Sequence, residues 1–163
     1  MKELLKKVYG AKKLSLLLTL ISHAVVLFGC SAFGFILGKR VRADFACALV
    51  TVLVAAVSFV GVSLYRHKKN APRPYEIYDF YECAPKDKTG HSFPSRHVFS
   101  AFVIATLALP DMLYVAIPLY ALGICLAICR VLLGLHFIRD VVWGAVIGVL
   151  CGAVGVLLTS LIR

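Results

Sequence analysis

The chain has 163 residues, 61% of them hydrophobic, a formal net charge of +10 and a mean hydropathy of +0.89. That is too apolar for an ordinary soluble domain, where about half the residues are apolar. The basic residues sit at the ends of apolar runs, which argues against nucleic acid as a partner and for lipid headgroups and phosphate-bearing lipids.

The length suits one domain, residues 1–163. Long apolar runs without alternation favour helices over barrel strands, since only these two structures satisfy their backbone groups in lipid. The expected fold class is therefore all-α: a polytopic transmembrane helical bundle of about five spans in the cell membrane.

Residues 1–13, MKELLKKVYGAKK, form a basic N-terminal segment. Leu14–Gly38 follows as the first span. It is longer than the apolar core of a signal peptide and shows no small-residue cleavage site, so it reads as a retained helix. His23 within it is expected to be a buried, satisfied histidine. Lys39–Arg42 reads as a short basic turn, and Phe45–Tyr65 as the second span. Arg66–Arg96 is the one long polar segment, with Pro72, Pro74 and Pro85, and loops of that length in compact proteins are usually functional or disordered. Pro110-Asp111 breaks the next apolar stretch. The third span then runs from near Pro94 to near Leu109, short enough to start at headgroup level, and the fourth from about Met112 to Leu133. Val141–Ile162 is the fifth, and its Gly144, Gly148 and Gly152 recur at the spacing that allows close helix approach. Tyr75, Tyr78, Phe80, Tyr81 and Trp143 read as interfacial anchors. Five cysteines lie in apolar runs as small hydrophobes, and only Cys83 is in a polar loop; neither a disulfide framework nor a zinc spacing emerges.

Two crossings separate the 66–96 segment from residues 134–140, so both lie on one face of the membrane. That face gathers Arg66, Arg73, Ser95, Arg96, His97, Arg130, His136, Arg139 and Asp140. Arginine suits phosphate because its planar fork donates two parallel hydrogen bonds, and a helix N-terminus near Ser95 adds backbone donors. His136 and Asp140 are four apart; on a helix they share a face, so the carboxylate can hold one ring nitrogen and leave the other free as a nucleophile. His97, with an ordinary pKa near 6.5, is the second proton carrier. Arginines can neutralise a transferring phosphoryl group, so the arrangement calls for no metal and no cofactor. Lys68, Lys69 and Arg139 read as interfacial charges that snorkel to headgroups.

These residues resemble the type 2 phosphatidic acid phosphatase (PAP2) superfamily of integral-membrane lipid phosphatases. Its first motif, Lys-six residues-Arg-Pro, is matched by RHKKNAPRP, with Arg66 at the lysine position and Arg73-Pro74 in place. Its second, Pro-Ser-Gly-His, is matched by Pro94-Ser95-Arg96-His97. Its third, Ser-Arg-five residues-His-three residues-Asp, is matched by CRVLLGLHFIRD, with Cys129-Arg130, His136 and Asp140. The resemblance covers roughly residues 60–160. It implies that His136 forms a phosphohistidine, that Asp140 orients it, and that His97 protonates the leaving group and then activates water. Arg66, Arg73, Ser95 and Arg130 would hold the phosphoryl oxygens, and Arg96, outside the family's pattern, is a further phosphate-binding candidate.

Three departures stand out. Arg66 replaces lysine, with Lys68 or Lys69 as possible substitutes; Cys129 replaces serine; and Arg96 replaces glycine, adding charge for a diphosphate or pointing away to headgroups. One span fewer than the family's usual six is expected, and fourteen of the eighteen Lys and Arg fall on the active-site face. The positive-inside rule puts that face in the cytoplasm, whereas bacterial members of the family face outward, and both orientations stay open. The expected substrate is a lipid phosphomonoester or diphosphate: phosphatidic acid, phosphatidylglycerophosphate or a polyprenyl diphosphate. The alternative is a catalytically silent relative that binds anionic lipids.

Overall fold

The computed structural model describes residues 12–78 and 89–162, so the expectations for the basic N-terminal residues and for Phe80, Tyr81, Cys83 and Pro85 lie outside the described residues. The described chain is helical: α1 Lys12–Ala43, α2 Phe45–Lys69, α3 Pro74–Ile77, α4 Arg96–Ala108, α5 Leu113–Leu132 and α6 Ile138–Leu161. Four of these are long and apolar enough to cross a membrane, namely α1, α5, α6 and the α2 segment. Rows of exposed leucine, isoleucine and valine, such as Leu16, Leu17 and Leu20 on α1 and Leu150, Val154 and Leu157 on α6, face outward as a lipid-facing surface should.

The expected basic turn at Lys39–Arg42 is helical instead, and the chain turns at Asp44. The Asp44 side chain caps α2 by accepting from the Ala46 N–H at 2.8 Å, satisfying one orphan donor. Arg40 is 3% exposed. Its guanidinium turns inward, donating to Thr51 Oγ1 on α2, to the Leu107 carbonyl at the end of α4 (2.7 Å) and to Asp111 Oδ2 (3.2 Å). One cation thus ties together three helix ends and the Pro110-Asp111 turn on the face opposite the site.

α4 has 13 residues, or about 20 Å at 1.5 Å per residue, against a hydrocarbon core of about 30 Å. It need not span on its own because it is the centre of the bundle: Val98, Phe99, Val103, Ala105, Leu107 and Ala108 are all buried, packed against α1, α2, α5 and α6. Its N-terminal end is held to the last turn of α2, where Arg66 donates to the Pro94 carbonyl at 2.9 Å.

The glycine stripe of α6 sets the α4–α6 contact. A Cβ on Gly144 would lie 2.7 Å from the Ser95 carbonyl oxygen, and one on Gly148 2.6 Å from that of Phe99. Backbone cannot retreat as a side-chain tip can, so Gly148→Val is expected to cost about 3 kcal/mol by overpacking and to lower the melting temperature in detergent. Gly61→Val, at a position with nothing within 4 Å of the added Cβ, is the matched control and should leave it unchanged.

His23 corrects an expectation. It is exposed on α1, with Nδ1 2.8 Å from the Thr19 carbonyl of the preceding turn. Tyr75 is buried rather than interfacial, while Trp143 is 52% exposed.

Candidate active site

Three distant segments interlock at one end of the bundle. Arg66, in the last turn of α2, donates through Nη1 to the Pro94 carbonyl at 2.9 Å and towards that of Ser92 at 3.5 Å. The Ser95 N–H donates to the Asp140 carbonyl at 2.9 Å. At the end of α5, Gly134 takes φ +64°, a left-handed turn that glycine enters without penalty. The turn folds the chain back so that the Leu135 and His136 N–H groups reach the Arg130 carbonyl at 3.1 and 3.3 Å. Each of the three expected motifs is thereby bonded to another.

His136 is 3% exposed and Asp140 is fully buried. They do not share a helix face as expected: His136 lies in the loop before α6, and Asp140 is in its first turn. Asp140 Oδ2 accepts the Phe137 N–H at 3.0 Å, half of a capping box. This use of the carboxylate leaves Oδ2 3.8 Å from His136 Nδ1, beyond hydrogen-bond distance. Ser92, 0% exposed, fills the interval. Its hydroxyl donates to Asp140 Oδ2 and stands 3.4 Å from His136 Nδ1. Ser92 lies within the HSFPSRH stretch, but nothing in its spacing marks it, since the contact joins residues 44 apart. Burial pushes the His136 imidazole down to about 4; Asp140 pulls it partly back up, and Arg66 and Arg73 push it down further.

The other site residues stand around this pair. Ser95 is buried, and its Oγ has no hydrogen-bond partner among the described residues. It caps α4, whose first N–H groups point out of the helix. His97, on the first turn of α4, keeps an accessible edge, yet burial of its ring, followed by the nearby Arg130, His136, Arg96 and Arg66, pushes its imidazole down to about 3. Arg130 is half-buried, and its Nε has no hydrogen-bond partner among the described residues. Arg73 is 8% exposed, donates through Nε to the Gly90 carbonyl at 2.9 Å and lies 5.8 Å from the Tyr75 ring.

The departures from the motifs are resolved by position. Arg66 is buried while Lys68 and Lys69 are exposed, so the arginine itself holds the lysine position. Cys129 is buried in an apolar cluster with Leu18 of α1 and Leu133. Arg96 is turned towards α2, with Nη1 3.4 Å from Ser63 Oγ and its guanidinium 5.6 Å from the Phe59 ring. Arg139 is 64% exposed, as expected of an interfacial charge, and its Nε is 3.5 Å from Asp140 Oδ1.

With this geometry in place, residues 45–162 match the family described as the PAP2 superfamily. The chain belongs to that superfamily. Solved PAP2 structures share its fold. The crystal structure of Aquifex aeolicus LpxE is 25% identical with a TM-score of 0.66, covering 94% of this chain and 93% of that one. The first transmembrane PAP2-type phosphatidylglycerolphosphate phosphatase from Bacillus subtilis is 21% identical with a TM-score of 0.73, covering 99% and 85%. No curated protein matches the chain by sequence. As a PAP2 protein the chain is a multi-pass membrane helical bundle, and its relatives support a phosphatase.

Proposed function

We propose that the protein is a lipid phosphatase that works through a phosphohistidine on His136. One observation carries the reading: a buried, uncharged imidazole, backed by Ser92 and Asp140, lies within electrostatic reach of Arg66 and Arg73. With Nδ1 held on the Ser92–Asp140 side, Nε2 keeps its lone pair and attacks phosphorus. Bond formation there breaks the phosphorus–oxygen bond to the leaving group; His97, uncharged in the free site, takes up a proton when the anionic substrate binds beside it and passes it to the leaving oxygen. His97 then takes a proton from water, which attacks the phosphohistidine, releases phosphate and restores His136. The Ser95 Oγ, the first N–H groups of α4 and the arginine side chains meet the phosphoryl oxygens, whose charge they stabilise most in the transition state. The substrate is a phosphomonoester or diphosphate of a lipid, reaching the site from the bilayer.

The test is phosphate release from detergent-solubilised lipid phosphates by the purified chain in the presence of EDTA. Activity should persist, because arginines rather than a metal ion offset the charge, and a brief reaction with a ³²P-labelled substrate should leave acid-labile label on His136. Label on another residue, or turnover only with added metal ion, refutes the mechanism. The pH profile follows from the same imidazole. A nucleophile with a lowered pKa stays uncharged as pH falls through 6.5 and is protonated only near 4. The acidic limb of kcat/KM, which reports the free enzyme, is thus expected near pH 4; a limb near 6.5 contradicts the assignment.

A further inference from the structure

A cavity of about 310 Å³ lies among Arg66, Arg73 and Arg96 at the end of α2. It shares Arg66 and Arg73 with the site just described, but its other lining residues, Ser63, His67, Thr89, His91 and Arg96, have no part in the phosphohistidine chemistry. Among the described residues, the lining includes three guanidinium groups, two imidazoles and two hydroxyls, and no carboxylate. His67 and His91 stack face to face, with centroids 4.8 Å apart and planes within 11°, and His91 Nδ1 is 3.3 Å from the Arg66 carbonyl. Arg96 stands where the second motif has glycine, and it is directed into this space, against Ser63 and Phe59, not out to the headgroups. Phe59 is 40% exposed, with Val60 and Leu64 beside it at 53% and 66%, so the cavity borders the lipid-facing surface of α2.

We infer that this cavity is a second phosphate subsite and that the substrate is a lipid diphosphate. The terminal phosphoryl group meets His136, the inner phosphate lies among Arg96, His67 and His91, and the lipid chain leaves over Phe59. The inference rests on the phosphatase reading for its chemistry. His136 attacks the terminal phosphorus, and the bond from that phosphorus to the bridging oxygen breaks. The electron pair stays on the bridging oxygen, which leaves as part of a lipid monophosphate. Water then cleaves the phosphohistidine to inorganic phosphate. Charge grows on the inner phosphate as it departs, so cations placed there act on the transition state more than on the bound substrate. Arg66 and Arg73, common to both spaces, bridge the two phosphates.

The experiment compares a prenyl diphosphate with the monophosphate of the same chain length, using the purified full chain in detergent micelles. The wild type should prefer the diphosphate at least tenfold in kcat/KM. Arg96→Gly should reduce that preference about tenfold to a hundredfold, as expected for loss of a hydrogen bond to a charged group. Arg96→Lys should retain most of it, and His67→Gln should lower it severalfold. A wild type without preference, or an Arg96→Gly variant that loses both activities equally, overturns the subsite; melting curves on the same samples show whether a variant folds, and His67→Gln carries the test if Arg96→Gly does not. Binding of methylenediphosphonate against inorganic phosphate, followed by calorimetry, separates the two readings. Tighter diphosphonate binding that is lost in Arg96→Gly, without turnover of either lipid, keeps the subsite and refutes the phosphatase. Monophosphate turnover without diphosphonate preference does the reverse.

Discussion

Replacing His136 with alanine is expected to lower phosphate release from lipid substrates by at least about four orders of magnitude, the scale on which loss of a covalent nucleophile is felt. The imidazole is 3% exposed, and its loop is held by hydrogen bonds to the Arg130 carbonyl that involve backbone N–H groups only. Removing the ring therefore leaves the loop's anchoring intact. His136→Gln, which keeps polar bulk in the same space, should be equally inactive while melting close to the wild type. Initial rates with EDTA present, together with melting curves in the same detergent, decide the matter. A variant that folds and keeps more than about one hundredth of the wild-type rate would remove His136 from the role of nucleophile.

The second large effect is expected at Ser92. Its hydroxyl is the group between an imidazole and a carboxylate that stand 3.8 Å apart. Ser92→Ala would leave Nδ1 without its nearest polar neighbour and Asp140 Oδ2 with only the Phe137 N–H at 3.0 Å. A drop in kcat of about two orders of magnitude is expected, by analogy with the loss of an orienting group behind a catalytic histidine. KM should change little, because Ser92 lies behind the imidazole and not against the substrate. Asp140→Asn should act through the same line, so the double variant should be little worse than the more damaging single one. A double-mutant cycle measures this directly. Additive losses would show that Asp140 orients His136 without the serine.

Much of the fold was legible from local pattern. Apolar runs long enough to span a bilayer are counted without knowing what they touch, and α1, α2, α5 and α6 fall where those runs lie. The parity of the crossings brought Arg66, Arg130 and His136 to one end, as the bonds between the motif segments bear out. The spacing of the glycines on α6 announced a close helix contact, and Gly144 and Gly148 lie against the backbone of Ser95 and Phe99.

What the tertiary structure decided are the features that depend on helix rotation and depth, which hydropathy does not encode. The length of α4 is one: a helix enclosed by its neighbours has no need to match the bilayer. Arg40 looked like a headgroup charge but turns inward, because Thr51, the Leu107 carbonyl and Asp111 converge on it from 11 to 71 residues away. Cys129 and Arg96 both sit in motif positions, yet packing turns one towards α1 and the other into a cavity with His67 and His91. Residue types and spacings alone determined that this is a membrane bundle with two histidines, one carboxylate and several arginines on a single face. Only the packed chain inserted Ser92 between His136 and Asp140, since a hydroxyl contributed from 44 residues away becomes a neighbour only once the helices have chosen their rotations.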